Sequence, residues 1–213
     1  MRAAPAARGG APVTAVDTWN AQAVAAIYEG HLRQQTAITA HLPRLRMLAA
    51  SCDVCVEFGV KRGASSSALL LGAPYVRSYD LVRTSEADRL AAAAGAHWDY
   101  RIEDSRTAEI PPCDLLFVDS LHSYAQCDAE LRRHADRVKH FLVFHDVGTF
   151  GEIAADGETG RPAWAYTPGG PSVPRAYLGI RPAIDEACIR DPSWQIAARY
   201  VDSHGLLVME RRR

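Results

Sequence analysis

The sequence has no long hydrophobic run. Its apolar stretches stay strand-length, as at residues 141–144 and 206–209, far short of the roughly 20 residues of a membrane-spanning helix. Neither sign of charge is in excess: 25 acids face 24 bases, so nothing suggests a nucleic-acid partner or a membrane surface. Cysteine is scarce and odd in number, at Cys52, Cys55, Cys113, Cys127 and Cys188. That count argues for reduced thiols and a cytoplasmic location. Cys52-x-x-Cys55 has no second Cys pair or His pair at ligand spacing, so these thiols read as small core side chains. Two nucleotide signatures are also missing. There is no Gly-x-Gly-x-x-Gly fingerprint and no Lys-Ser/Thr pair after a glycine turn, which argues against nicotinamide and ATP sites.

The most informative segment is 53–66, Asp-Val-Cys-Val-Glu-Phe-Gly-Val-Lys-Arg-Gly-Ala-Ser-Ser. It reads as an apolar strand, a turn with glycines at Gly59 and Gly63, and a helix opened by Ser65, Ser66 and Ser67. Such a turn lets backbone N–H groups approach a ligand that carries an anionic group. Around it the pattern alternates. Strands are expected at 54–58, 76–80, 98–102, 114–118, 141–144, 195–200 and 206–209, and helices at 17–40, 41–50, 64–71, 85–94, 123–138 and 181–190. Ser123 and Gln126 have capping-box spacing, and Tyr124, Cys127, Leu131, His134 and Val138 form an apolar stripe. Strand–helix alternation implies a doubly wound, mostly parallel sheet, closed here by an antiparallel hairpin.

Residues 1–13 are rich in Ala, Arg, Pro and Gly, and the first 16 are expected to be a disordered leader. Residues 17–50 then form a helical cap and 51–213 the ligand-binding domain. Within it, residues 148–179 hold many Gly and Pro together with Trp164, Tyr166 and Tyr177, and are expected to be a lid. His134, Lys139, His140 and the Arg211–Arg213 tail read as solvated faces or helix ends.

In an open parallel sheet, ligands bind beyond the carboxyl ends of the strands. Those ends carry Glu57 and Gly59; Asp80; Glu103, Asp104 and Ser105; Asp119 and His122; and His145 and Asp146. A single such acid is commonly a cap or turn former; five in the same topological position mark a site.

The ordered set Glu57-x-Gly59-x-x-x-Gly63-x-Ser65, Asp80, Asp104 and Asp119 resembles the class I S-adenosylmethionine-dependent methyltransferases. More narrowly, residues 114–124 (Asp-Leu-Leu-Phe-Val-Asp-Ser-Leu-His-Ser-Tyr), the Phe144-His145-Asp146 triplet and residues 179–185 resemble a bacterial small-molecule O-methyltransferase branch. It includes relatives of macrolide-sugar methyltransferases and of proteins described as cephalosporin hydroxylases. The resemblance implies a Rossmann-like seven-stranded sheet and S-adenosyl-L-methionine as cofactor. Gly59 and Gly63 would shape the turn under the methionine moiety, Glu57 lie beneath it, and Ser65 bind the carboxylate. Asp80 would take the ribose diol, and Asp104 and Ser105 line the adenine.

Cation-dependent relatives hold a divalent metal on acids after the fourth and fifth strands. The matching positions are Asp119 and Asp146, with His145 beside the latter. Oxygen ligands favour Mg²⁺, whereas an imidazole tolerates Mn²⁺, Fe²⁺ or Zn²⁺ better. A metal-free site, with both acids bonded to substrate, is the other arrangement. The expected reaction is methylation of a hydroxyl on a small natural product or sugar, with His122 as first base and His145 as second. The relatives also suggest a homodimer or larger assembly. The alternatives are a metal-dependent hydroxylase on the same fold, using His122, His145 and Asp119, and a non-catalytic binding protein.

Overall fold

The computed structural model describes residues 19–155 and 178–212. The expected leader and most of the expected lid, with Trp164, Tyr166 and Tyr177, lie outside the described residues.

Seven strands form one sheet: β1 (Val54–Phe58), β2 (Tyr75–Asp80), β3 (Trp98–Ile102), β4 (Cys113–Val118), β5 (Val138–His145), β6 (Trp194–Tyr200) and β7 (Leu206–Arg211). Their spatial order is β3-β2-β1-β4-β5-β7-β6. The first five run parallel, and β7 lies antiparallel between β5 and β6. The order reverses between β1 and β4, which opens a crevice at their carboxyl ends. The expected Rossmann-like doubly wound sheet with a closing hairpin is therefore what the chain adopts.

Alternate side chains of the central strands feed two cores, as the two-residue period of a doubly covered sheet requires. Cys55, Leu115 and Phe117 join one with the helices α1 (Ala21–Leu32), α2 (Leu42–Ala49), α3 (Ala64–Leu70) and α4 (Ser85–Ala94). Val56, Phe58, Leu116 and Val118 join the other with α5 (Tyr124–His134) and α6 (Ile180–Arg190). All five cysteines are free thiols, four of them buried.

Several sequence-based expectations are corrected. The first helix does not run over 17–40: Asn20 caps α1 by accepting from Ala23 N–H, and α1 ends at Leu32. Beyond it the Thr39 hydroxyl accepts the Thr36 N–H at 2.9 Å, a local bond that competes with helix continuation. The fifth helix stops at His134, because Val138 pairs with Cys113 as the first residue of β5. Val138 is thus a strand residue, not part of the helical stripe, and β5 is twice as long as expected. His134 is buried, with Nε2 2.7 Å from the Ser105 carbonyl. Arg211 is not a solvated tail. Its guanidinium lies 4.3 Å over the Trp194 ring and donates to Asp191 and to the Ala135 and Val138 carbonyls.

Candidate functional site

The turn after β1 is built by close approach. Gly59 has φ +89°, and a Cβ there would lie 2.1 Å from the Asp119 carbonyl oxygen. No other residue fits at that crossing of the β1 and β4 ends. Gly63 caps α3 with φ +78°, where a Cβ would meet Leu90 Cδ2 at 2.9 Å. Asp80 ties the turn to β2: its Oδ2 accepts from Val60 and Lys61 N–H at 2.8 Å each, and Oδ1 from Val82 N–H at 3.1 Å.

Glu57 sits under the turn, fully buried, and its Oε2 accepts from the Ser66 and Ser78 hydroxyls at 2.6 Å each. Burial pushes its carboxyl up to about 7, against the pull of the Ser65, Ser66 and Ser78 hydroxyls, with the nearby Asp119 charge adding to the rise.

A cavity of about 820 Å³ opens over these strand ends. Gly59, Ser65, Asp80, Asp104 and Ser105 lie on its wall, as do Asp119, His122, His145 and Asp146. Glu57 and Gly63 support the wall from behind without reaching it. The Asp104 carboxylate is gripped by Arg106, with 2.7 Å to the nearer terminal nitrogen.

The deepest polar cluster lies at the ends of β4 and β5. Asp119 Oδ1 is 3.1 Å from both His122 Nε2 and His145 Nδ1. His145 Nδ1 is also 3.2 Å from Asp146 Oδ1, and His122 Nε2 is 3.5 Å from Asp146 Oδ2. Asp146 has φ +60°, a conformation Asp tolerates better than most residues. The His122 ring stacks on Phe150, centroids 5.0 Å apart.

The charges are coupled. Burial disfavours a charged His145, but the Asp119 carboxylate, bonded to it, and Asp146 outweigh that and raise it to about 9. Burial also opposes ionisation of Asp119, yet His145 and His122 hold its carboxyl well below the usual range. Asp146 is pushed up, chiefly by burial and further by Asp119.

Asp119, His145 and Asp146 each bring one ligand atom within 4.8 Å of the others. These residues fit a divalent cation. Neighbouring donors on a six-coordinate Mg²⁺-sized ion lie about 3 Å apart, and the Nδ1 separations match. Among the described residues, Asp146 Oδ1 is buried without a hydrogen-bond partner, so one oxygen of the cluster keeps capacity for a ligand.

The sequence did not point to the supports around this cluster. His41 on the N-terminal cap is fully buried, with its ring 5.4 Å from that of His145 at 72°. Arg44 donates to its Nδ1 at 2.8 Å, so Nε2 carries the hydrogen toward the Asp202 and Ser203 carbonyls. His31 and Gln34 at the end of α1 reach the cavity wall, as does Gln126 on α5. Only the capping spacing had drawn notice to Gln126.

Fold and cavity together define a Rossmann-like α/β protein with a cavity at its topological switch point. Solved structures that share this fold include methyltransferases, some with S-adenosylhomocysteine bound. A protein from Klebsiella pneumoniae put forward as an O-methyltransferase superposes with TM-score 0.62 at 14% identity, covering 97% of this chain and 92% of that one. The Burkholderia thailandensis 1,6-didemethyltoxoflavin-N1-methyltransferase, with 1,6-didemethyltoxoflavin and S-adenosylhomocysteine bound, gives 0.61 at 14%, covering 98% and 94%. The N-methyltransferase NodS from Bradyrhizobium japonicum WM9, in complex with S-adenosylhomocysteine, gives 0.56 at 15%, covering 92% and 98%. At these identities the likeness establishes the fold. No protein-family model matches the chain, and no curated protein matches it in sequence.

Proposed function

We propose that this chain is an S-adenosyl-L-methionine-dependent methyltransferase that methylates a hydroxyl of a small natural product or sugar, assisted by a divalent cation. One observation carries the reading. The glycine turn held by Asp80 and the Asp119–His145–Asp146 cluster open into the same cavity at the switch point.

The protein's task in such a transfer is alignment and exclusion of water. The Gly59 turn brings backbone close beneath the methionine moiety, and Ser65 faces its carboxylate. Asp80 holds the turn with both lone pairs of Oδ2 and one of Oδ1, and the remaining Oδ1 lone pair can accept from a ribose hydroxyl. Asp104 and Ser105 form the wall for the base. The cofactor supplies an electrophilic methyl on sulfur. A cation held by Asp119, His145 and Asp146, whether Mg²⁺ or an imidazole-tolerant ion such as Mn²⁺ or Fe²⁺, would lower the pKa of the acceptor hydroxyl.

The proton from that hydroxyl passes to the His122–Asp119 pair. His122 is favoured over His145 as base because its side chain is 16% exposed and His145 only 3%. A released proton can therefore leave by way of His122.

A metal-dependent hydroxylase is the second reading, and one feature favours it: the imidazole nitrogens of His122 and His145 each lie 3.1 Å from the Asp119 carboxylate, the composition of a two-His, one-carboxylate iron site. Calorimetric titration with S-adenosylmethionine and S-adenosylhomocysteine, with and without Mg²⁺, separates the two. Micromolar binding that weakens in Asp80→Ala supports the methyltransferase. Absence of binding, with tight anaerobic Fe²⁺ uptake, supports the hydroxylase.

A further inference from the structure

The hairpin turn between β6 and β7 holds backbone strain. Ser203, His204 and Gly205 follow one another at φ +46°, +69° and +90°, a conformation that side-chain-bearing residues adopt at a cost. The carbonyls of this turn bond two other parts of the chain. Those of Asp202 and Ser203 lie 3.0 and 3.1 Å from His41 Nε2. That of His204 accepts from Gly148 and Thr149 N–H at 2.8 and 3.2 Å, just beyond Asp146.

Arg44 closes the arrangement from α2. Its Nη1 donates to His41 Nδ1 at 2.8 Å and to the two Asp202 carboxylate oxygens at 2.9 and 3.1 Å. The guanidinium lies 4.1 Å over the Tyr200 ring. A guanidinium only donates, so both nitrogens of the fully buried His41 are committed, one as acceptor and one as donor. The N-terminal cap is thereby latched to the far edge of the sheet.

What the latch holds in place is a ring. His41 does not line the cavity; it meets His145 edge-on, with centroids 5.4 Å apart at 72°. His145 in turn presents Nδ1 to Asp119 and Asp146. A half-turn about its Cβ–Cγ bond would put a carbon there instead, and that torsion is broad and roughly two-fold. The choice of nitrogen therefore needs a support outside His145 itself.

We infer that His41 is a positioning residue for the cation site: latched by Arg44 and the β6–β7 turn, its ring holds His145 with Nδ1 toward Asp119 and Asp146. This rests on that cluster binding a divalent cation. A metal-ligating imidazole depends on the groups that orient it, and losing one weakens metal binding by about ten- to a hundredfold.

The test is Mn²⁺ binding by the full chain, read by calorimetry and by the spin-echo modulation from Mn²⁺-bound nitrogen. S-adenosylhomocysteine is titrated into the same samples, and thermal melts are recorded. His41→Ala removes the support, so Mn²⁺ affinity should fall about tenfold or more and the nitrogen modulation should weaken. Affinity for S-adenosylhomocysteine should not change, since neither His41 nor Arg44 reaches the cavity. His41→Phe separates positioning from stability. It restores a ring against His145 but leaves Arg44 and two carbonyls without their partner, so it should melt below the wild type and still recover most of the Mn²⁺ affinity. Arg44→Met loosens the latch from a partly exposed side chain and should weaken Mn²⁺ binding less than His41→Ala does. Mn²⁺ affinity that is unchanged in His41→Ala and Arg44→Met, or that simply follows melting temperature across the variants, overturns the inference and leaves the cation reading standing. If the wild type binds no Mn²⁺, the cation reading itself fails, and this inference with it.

Discussion

Asp114 and Asp119 stand at opposite ends of β4, and they are buried in different ways. At the base, Asp114 Oδ2 accepts from Asp53 and Val54 N–H at 2.9 and 3.0 Å, and Oδ1 pairs with Lys139 at 3.2 Å. Burial works against its charge, but these bonds win and keep its carboxyl low. Its partners are backbone and a lysine, all fixed by the fold. At the top, Asp119 shares one oxygen between two imidazoles, faces a second acid, and opens to the cavity. Its neighbours include two buried atoms with no partner and a residue at positive φ. Uncompensated groups cost folding free energy, and of the five such buried atoms among the described residues three belong to Glu57, His145 and Asp146 near the carboxyl ends of β1 and β5. The base of β4 is scaffold; its top keeps donor capacity for something else.

The sharpest way to break this comparison is to remove each acid in turn. Asp119→Asn should lower methyl transfer, followed as S-adenosylhomocysteine release with a competent acceptor, by about a hundredfold or more. Its urea midpoint should fall as well, because the buried imidazoles lose the charge that holds them, so turnover is compared under conditions where both proteins are folded. A variant that keeps full turnover would remove Asp119 from the chemistry.

Glu57 gives the next largest effect, and its sign follows from its carboxyl near 7. Between its ordinary range and 7, the folded chain holds a proton that the unfolded chain has released. Wild-type stability should therefore fall as pH rises through that window, by roughly 3 kcal/mol in all. Glu57→Gln removes the slope. Urea titrations at pH 5, 6, 7 and 8 should show the variant gaining on the wild type up to pH 7 and holding level above it. Parallel curves would mean that Glu57 is ionised throughout.

Asp114→Ala should cost stability alone. It leaves the partly buried Asp53 and Val54 N–H groups without their acceptor, at a cost of about 1 kcal/mol, seen as a lower urea midpoint. Affinity for S-adenosylhomocysteine should not change, because nothing at the base of β4 touches the cavity. A loss of affinity without a loss of stability would erase the distinction between the two ends.

How far the sequence reaches follows the same division. The parallel sheet was legible because short apolar strands alternate with helices and each ends in an acid, His or Gly. The set Asp119, His145 and Asp146 was legible for the same reason, since topology alone brings strand ends together. What escaped were groups that act from helices. Glu130 and Gln126 share an ordinary solvated-face spacing on α5, and nothing in that spacing says that Ser105, in the turn after β3, will bond to both. His41 is likewise a polar residue in a polar stretch, and only the approach of the β6–β7 turn buries it against His145. The over-long first and fifth helices have a local cause: Thr36 and Thr39 bond each other, and the pairing of Val138 with Cys113 prevails over helical periodicity.

Asp80 sharpens the comparison most, because it belongs to both kinds. It is scaffold through its bonds to Val60, Lys61 and Val82 N–H, and it also lines the cavity. Two substitutions separate these duties. Asn keeps one oxygen to accept from the Val60 and Lys61 N–H groups, but loses the charge and one acceptor; Ala loses everything and frees the turn. If Asp80 meets the ribose directly, Asp80→Asn should already weaken S-adenosylhomocysteine binding about tenfold, the effect of one charge-assisted hydrogen bond. Asp80→Ala should then add only a smaller step. If Asp80 works solely by holding the turn, Asn should bind almost as the wild type does and the whole loss should appear in Ala. Calorimetry on the two variants decides between these, since the turn's hydrogen bonds survive in one and not in the other.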